Sequence, residues 1–182
     1  MSSISTPVTD ARRVRIATAA DVDALGTIGP LAYAQAYGAW WVDKAALALH
    51  ARSFDAAAFT TLLADPRITV WIAERGDDPV GFLTMHRDSP DPVTARANGV
   101  ELRRIYLLRD AMRGGLGRLL AEAAIDQARA EGYDHVWLDV MAQAEWALAA
   151  YRRWGFAEIG QKMFENTLRG DLRQMIVMAR DI

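Results

Sequence analysis

A strand followed by three glycines and a helix is the feature that most constrains how this 182-residue chain can fold. The segment VELRRIYLL predicts a strand, and MRGGLGRLL then sets Gly114, Gly115 and Gly117 at the start of a predicted helix from Gly115 to Glu131. A second predicted strand, HVWLDV, precedes a second predicted helix from Ala142 to Trp154. Successive strand–helix units require crossover connections, so the sequence predicts a sheet whose centre is partly parallel.

The remaining segments predict one mixed α/β domain. VRIAT is a short strand, and two helices are expected over residues 20–37 and 43–64, the second interrupted near RSFD. RITVWIAER and PVGFLTMHRD form a hairpin about the turn GDDP, and FAEIGQKMFE and RQMIVMARD are the last two strands. We therefore expect a loose tail over residues 1–13. We expect residues 14–182 to form a single α/β domain with a mixed central sheet of about seven strands flanked by about four helices.

Composition and charge narrow the expected partners. A net charge of −2 gives no basic field for nucleic acid, and no apolar run approaches the ~20 residues that a membrane-spanning helix needs. The chain has no cysteine, which suits a reducing cytoplasm, and its N-terminal segment lacks the apolar core of a signal peptide. His50, His86 and His135 have no ligand spacing. We expect a cytoplasmic protein that binds no metal, nucleic acid or membrane.

The glycines predict an anion site at a helix N-terminus. Backbone N–H groups there are unpaired and carry partial positive charge, and glycines let an anion approach them closely. Arg113 and Arg118 add positive charge. The competing interpretation is a tight turn that binds nothing. A P-loop is excluded because Arg118 and Leu119 follow Gly117, and a dinucleotide fingerprint is excluded because Leu120 stands at its third glycine.

Two segments together resemble the GNAT superfamily of N-acetyltransferases. Residues 112–117, MRGGLG, are similar to the Q/R-x-x-G-x-G/A motif that opens the helix after the family's fourth strand, and residues 151–156, YRRWGF, are similar to its Y-x-x-x-GF segment. The resemblance runs from about Val14 to the end of the chain and implies a GNAT-like fold with acetyl-CoA as cosubstrate. Within the superfamily, ELRRIYLL and the segment around YRRWGF are most similar to the PaiA-type branch, which is spermine/spermidine acetyltransferase-like.

The resemblance implies a set of cofactor-binding residues in which backbone amides hold the coenzyme A pyrophosphate. A strand amide matched to Leu107 would face the thioester oxygen. Met112 replaces the usual Gln or Arg, and Ala144 replaces a frequent asparagine; one side-chain hydrogen bond contributes ~1 kcal/mol, so binding is expected to persist. The expected cofactor-binding residues are Ile105, Tyr106, Leu107, Met112, Arg113, Gly114, Gly115, Leu116, Gly117 and Arg118.

Three residues are candidates for the chemistry of acetyl transfer. Tyr151 matches the family's general acid, which would protonate the leaving thiolate; alternatively, its ring only packs on the core. Glu101 and Asp139 are candidate bases for the amine, directly or through water. Their competing interpretation is a structural ion pair with Arg103 or Arg104.

Other residues near the expected acceptor site have weaker support. His86 is a minor base candidate, although a surface histidine is favoured. The aromatic residues Tyr33, Tyr37, Trp40 and Trp41 have the spacing of a helix core, but the resemblance implies that this joint roofs the acceptor site.

The sequence therefore predicts an acyltransferase: an acetyl-CoA-dependent N-acetyltransferase that acts directly on an amine. Its expected partner is a small-molecule amine, polyamine-like or amino-acid-like, or a protein terminus. The alternative is a CoA- or acyl-CoA-binding module with little or no turnover. The acceptor's identity and a homodimeric assembly remain open.

Overall fold

A computed structural model describes residues 11–164 and 172–182 of the chain. The strands are β1 (Arg12–Ile16), β2 (Ile68–Arg75), β3 (Asp78–His86), β4 (Gly99–Leu107), β5 (His135–Met141), β6 (Ala157–Met163) and β7 (Gln174–Asp181). The α-helices are α1 (Val22–Tyr37), α2 (Lys44–Ala51), α3 (Ala56–Ala64), α4 (Leu116–Ala130) and α5 (Glu145–Arg153).

The seven strands form one sheet in the order β1-β2-β3-β4-β5-β7-β6. Neighbouring strands are antiparallel except β4 and β5, which are parallel. The predicted partly parallel centre is thus confirmed. The second strand–helix unit, β5 followed by α5, does not continue into a neighbouring parallel strand as the first unit does. Instead, β7 lies between β5 and β6 and pairs antiparallel with both.

The predicted mixed α/β domain with a seven-stranded sheet is confirmed, with five α-helices. The segment predicted as one interrupted helix, residues 43–64, divides into α2 and α3 at the 3₁₀ turn Arg52–Phe54. β1 begins at Arg12, so the predicted tail is shorter than expected. The rest of that tail, residues 1–10, and the end of the predicted strand FAEIGQKMFE lie outside the described residues. No helix in the described ranges has the length and apolarity needed to cross a membrane.

Helix α1 lies close against the α2–α3 region because two of its residues lack side chains. A Cβ on Gly26 would lie 2.6 Å from the backbone nitrogen of Ala56, and one on Gly29 would lie 2.7 Å from the carbonyl oxygen of Phe54. The close approach brings Tyr33, one turn further along α1, into stacking contact with Phe54 at a centroid distance of 4.9 Å. The aromatic face of α1 is thereby fixed above the C-terminal half of β4.

Candidate active site

Strands β4 and β5 separate after a short parallel ladder. They pair only where Gly99–Glu101 lies opposite His135–Trp137. On its other edge, β4 remains paired with β3 as far as Leu107, with a register shift that leaves Arg103 as an extra residue. A bulge of this kind bends and twists its strand. The strands therefore diverge toward their carboxyl ends, and beyond the ladder the β4 edge facing β5 has no strand neighbour among the described residues.

A cleft of about 610 Å³ lies where the two strands separate. Because parallel strands end at the same edge of a sheet, the glycine loop after β4 and helix α5 after β5 both border this cleft. Nine of the ten predicted cofactor-binding residues line it: Ile105, Tyr106, Leu107, Met112, Arg113, Gly114, Gly115, Gly117 and Arg118. The tenth, Leu116, buries its side chain in the core, so only its backbone can reach a ligand.

Glycine is required at positions 115 and 117 for different structural reasons. Gly115 is the N-cap of α4 with φ +86°, a left-handed conformation, and a Cβ there would meet nothing within 4 Å. Gly117 has a different role, because its Cβ would approach the Trp154 ring to 3.2 Å. The first α4 hydrogen bond runs from the Leu119 N–H to the Gly115 carbonyl, so the amides of residues 116–118 have no partner within the helix.

The cleft is electropositive. Arg113, Arg118 and Arg153 line it, and no carboxylate does among the residues that the structure describes. Cations beside unpaired helix amides form an environment suited to phosphate. Sequence reasoning missed Arg153 and Trp146, which line the cleft from α5 together with Tyr151. Helical spacing from Tyr151 does not indicate them, because Trp146 lies five residues before it and Arg153 two residues after it.

The two departures from the family motif lie in different environments. Met112 lines the cleft and packs partly against the core. Ala144 is fully buried and precedes α5, where its N–H donates to the Met141 carbonyl. A longer polar side chain would therefore enter the cleft directly at position 112 but not at position 144.

Tyr151 lies in the wall of this cleft. Its ring makes edge contacts with Trp154 and Phe156, at centroid distances of 5.4 and 5.9 Å. Within the described residues, its hydroxyl makes no hydrogen bond. Burial, together with the nearby Tyr37 and Asp139, raises the pKa of Tyr151 well above 10, so the phenol stays protonated at neutral pH.

A second cavity, of about 340 Å³, adjoins the cleft at Tyr106, which lines both. Glu101 and Asp139 line this second cavity, whereas Tyr151 lines the first. We call the second cavity the acceptor cavity, because Tyr33 and Tyr37, which were expected to roof the acceptor site, line it. It is lined by Tyr33, Tyr37, His50, Ser53, Phe54, Glu101, Arg103, Arg104, Tyr106, Asp139, Val140, Met141, Lys162, Phe164 and Met175.

Both candidate bases have cationic partners. Glu101 is buried and accepts hydrogen bonds from Arg103 at 2.7 and 3.0 Å. Asp139 pairs with Lys162 of β6, a partner that sequence spacing could not indicate. The negative charge of Asp139 contributes to the raised pKa of both Tyr37 and Tyr151. Asp139 is therefore electrostatically coupled to the candidate acid.

The aromatic residues of α1 and its joint form the roof of the acceptor cavity. Tyr33, Tyr37 and Trp41 are buried, and the first two line the cavity. Burial raises the pKa of Tyr33 to about 12, although the hydrogen bond that its hydroxyl accepts from the Trp41 indole opposes this shift. Trp40 packs partly against the core and makes an edge contact with Tyr37.

The histidines differ from expectation. His86 is half-buried rather than on the surface, and it does not line the acceptor cavity. His50 of α2, which sequence reasoning did not single out, lines the cavity beside Tyr33 at a centroid distance of 4.8 Å. Burial lowers the pKa of His50, which favours the neutral ring that can accept a proton. Among the described residues, no group of histidine and acidic side chains could hold a metal ion.

His86 is expected to make folding sensitive to acid. Burial and the nearby Arg103 and Arg104 lower its pKa to about 4, and its buried Nε2 has no hydrogen-bond partner among the described residues. Since an unfolded histidine protonates near pH 6.5, the unfolded state binds more protons between about pH 6.5 and 4. The free energy of unfolding should therefore fall as the pH is lowered through that window. The loss should be at most about 2 kcal/mol, because His86 is partly exposed and solvent screens its charge. Urea unfolding at pH 7 and at pH 4.5 measures this loss. Between the two pH values, His86→Leu should lose less stability than the wild type. An equal loss in both proteins would show that His86 is not the acid-sensitive group.

Comparisons with known proteins agree with this geometry. A sequence model of the acetyltransferase (GNAT) family matches residues 33–156, about two thirds of the chain, and the chain belongs to this family. It is 30% identical over 95 residues to N-acetyltransferase 8 of Homo sapiens. That match covers 52% of this chain and 40% of the human protein, so the chain spans less than half the length of that relative.

Two solved structures are similar over nearly the whole chain. The PaiA N-acetyltransferase from Thermoplasma acidophilum, in complex with coenzyme A, has a TM-score of 0.77 at 16% identity, covering 94% of this chain and 99% of that one. The ribosomal-protein-S18-alanine N-acetyltransferase from Escherichia coli has a TM-score of 0.70 at 21% identity, covering 94% of each chain. At these identities the likeness concerns the fold. The predicted superfamily is confirmed, while the PaiA-type branch stays a prediction.

Proposed function

We propose that this protein is an acetyl-CoA-dependent N-acetyltransferase that transfers an acetyl group directly to an amine. The observation that carries the proposal is the junction of two cavities at Tyr106. One cavity has the features of a coenzyme A site and contains the candidate acid, Tyr151. The other contains the candidate bases, Glu101 and Asp139, so an acceptor held there would meet the acetyl donor at the junction.

The residues of the cleft fit coenzyme A. Coenzyme A has an anionic pyrophosphate and an amide-containing pantetheine arm. The unpaired amides at the start of α4, the open space over Gly115, and Arg113 and Arg118 suit the pyrophosphate. The β4 edge between Leu102 and Leu107 has backbone groups free for the pantetheine amides in the manner of an added strand. The amide of Leu107 is our candidate for polarising the thioester carbonyl.

The proposed chemistry divides between the two cavities. When bound, acetyl-CoA supplies the acetyl group as an activated thioester. Tyr151 holds a proton on its hydroxyl oxygen throughout the neutral range and delivers it to the departing sulfur. Its high pKa weakens it as an acid, but the same desolvation raises the pKa of a thiol beside it, which reduces the mismatch. A carboxylate oxygen of Asp139 or Glu101 accepts the amine proton, directly or through water.

Asp139 and Glu101 are both candidate bases, since both line the acceptor cavity and both are ion-paired. If Asp139 removes the amine proton, Asp139→Asn should lower kcat and flatten the acidic limb of the pH–rate profile. Glu101→Gln is the matched comparison, because Glu101 lines the same cavity and is also ion-paired. An acidic limb that neither substitution changes would mean that the amine loses its proton to bulk water before it binds.

A CoA-binding module with little turnover is the second candidate function. Met112 and Ala144, which replace polar residues of the family motif, favour it. The position of Tyr151 in the cleft wall opposes it, because binding alone needs no proton donor. A thermal-shift comparison of acetyl-CoA, CoA, ATP and NAD should show stabilisation by the first two only. Thiol release with a panel of amines then separates the enzyme from the module.

The acceptor class is the finer part of the proposal. The PaiA-type branch would imply a polyamine-like amine, and amino-acid-like amines and protein termini are the other classes. The acceptor cavity, about 340 Å³, is at the lower end of the range for small-molecule sites, which favours a small amine.

A further inference from the structure

Arg104 stands in the wall of the acceptor cavity, and none of the described residues gives it an acidic partner. Its guanidinium carbon lies 4.8 Å above the centre of the Phe54 ring, and its Nη1 donates to the Ser53 carbonyl at 2.8 Å. No carboxylate in the described part of the chain forms an ion pair with it. Burial and the neighbouring charge of Arg103 lower the pKa of Arg104, while Tyr106 and the charge of Glu101 oppose this shift.

The other charges of the cavity are already compensated. Glu101 pairs with Arg103, and Asp139 pairs with Lys162. With His50 neutral, the described residues of the cavity carry one net positive charge, and Arg104 is the group left over. A partly desolvated charge is costly unless it is paired. The charges of the described residues therefore favour a ligand that carries an anion over a polycation.

Arg104 is also oriented to receive such a group. The bond to Ser53 uses one of the five guanidinium N–H donors, and the contact with Phe54 restrains its plane. Arginine donors in this fixed arrangement match the two oxygens of a carboxylate. Tyr106, where the two cavities meet, is two residues further along β4, roughly 7 Å away along the strand. One small molecule can therefore contact Arg104 and still reach the junction.

We propose that Arg104 binds a carboxylate of the acceptor, so that the substrate is an amino-acid-like amine rather than a polyamine. This assignment rests on the transferase function proposed above. The anion at Arg104 orients the acceptor, and the amine points toward the junction at Tyr106, in the cavity that Asp139 and Glu101, the candidate bases, also line. Tyr33 and Tyr37 of the roof, together with Phe54, give the rest of the molecule an apolar surface.

Matched pairs of amines test the proposal in the wild-type protein. Each amino acid is compared with its decarboxylated amine, for example phenylalanine with phenethylamine and ornithine with putrescine, and spermidine is added as a polyamine. Thiol release gives kcat/KM for each. We expect the carboxylated member of the preferred pair to be favoured at least about tenfold, the effect of one charge-assisted hydrogen bond. Equal or better transfer to the decarboxylated amines and spermidine would overturn the proposal.

Two arginine variants then assign the preference to one residue. Arg104→Met should remove most of the preference, mainly by raising KM for the carboxylated amine. Arg104→Lys keeps the charge without the planar donors and should retain part of the preference. A preference unchanged in folded Arg104→Met would overturn the assignment, and if that variant does not fold, full retention of the preference in Arg104→Lys would do so.

Failure of the proposed function has a different signature. If acetyl-CoA binds and no amine in the panel releases thiol, the transferase function fails and this inference fails with it. If transfer occurs without a carboxylate preference, the transferase function stands and only the role of Arg104 is overturned.

Discussion

Tyr151→Phe is expected to lower kcat about 10²–10⁴-fold, the usual effect of losing a general acid. The affinity for acetyl-CoA should stay close to the wild-type value, because the proton is needed only as the thiolate departs. Stability should also change little, since the Tyr151 hydroxyl makes no hydrogen bond within the described residues and phenylalanine keeps the ring contacts with Trp154 and Phe156. Steady-state kinetics, calorimetry and urea unfolding measure the three quantities.

Tyr133→Phe is the control for this result. The Tyr133 hydroxyl donates to Asp88 at 3.0 Å, and Tyr133 lines neither the cleft nor the acceptor cavity. Loss of the Tyr133 hydroxyl should leave kcat unchanged.

The pH dependence of the wild-type rate gives a second check. Because the pKa of Tyr151 lies well above 10, the rate should show no decline from phenol ionisation between pH 7 and 10. Near wild-type turnover by Tyr151→Phe would show that water protonates the thiolate.

Gly115→Val is expected to weaken acetyl-CoA binding by several kcal/mol. Two or more charge-assisted hydrogen bonds from the α4 amides, each worth about 1.5–3 kcal/mol, would be blocked or misaligned. The Cβ of residue 115 would project into open space at the cleft, where an anion would lie against those amides. The substitution also strains the backbone at φ +86°, a separate cost of about 1–3 kcal/mol that acts on folding.

Gly132→Val is the control that separates the loss of acetyl-CoA affinity from the cost of backbone strain. Gly132 has nearly the same backbone geometry as Gly115 and lies at the other end of α4. Its φ is +84° and a Cβ there also meets nothing within 4 Å, but it does not line the cleft. Gly132→Val should therefore lose a similar amount of stability while its Kd for acetyl-CoA stays unchanged. Calorimetry on the two folded variants compares their Kd values for acetyl-CoA. Equal affinities would show that the start of α4 does not bind the anion.

Local patterns in the sequence predicted the parts of the fold and site that depend on local structure. The glycine-rich helix start at Gly115 and the alternation of strands and helices around it follow from backbone conformation and hydrophobic periodicity, which neighbouring residues determine. The pairing of Glu101 with Arg103, one of the alternatives considered for this carboxylate, is also local, because the two residues are two apart on one strand.

The remaining features depend on contacts between distant segments. The separation of β4 from β5 follows from a bulge at Arg103, which arises from pairing with β3 and has no sequence signature of its own. Asp139 pairs with Lys162 on another strand. His50 reaches the acceptor cavity because α1 lies close against the α2–α3 region, and the lack of an ion pair at Arg104 within the described residues becomes apparent only from their three-dimensional arrangement.

One measurement tests the central claim, direct acetyl transfer at the junction of the two cavities. The wild-type protein is incubated with acetyl-CoA and the amine panel, and mass spectrometry quantifies free CoA and N-acetylated amine over time. The account predicts equal amounts of the two products for at least one amine, formed at a rate that Tyr151→Phe reduces. Stoichiometric binding of acetyl-CoA without N-acetylated product for any amine would contradict the account and identify the protein as a CoA-binding module.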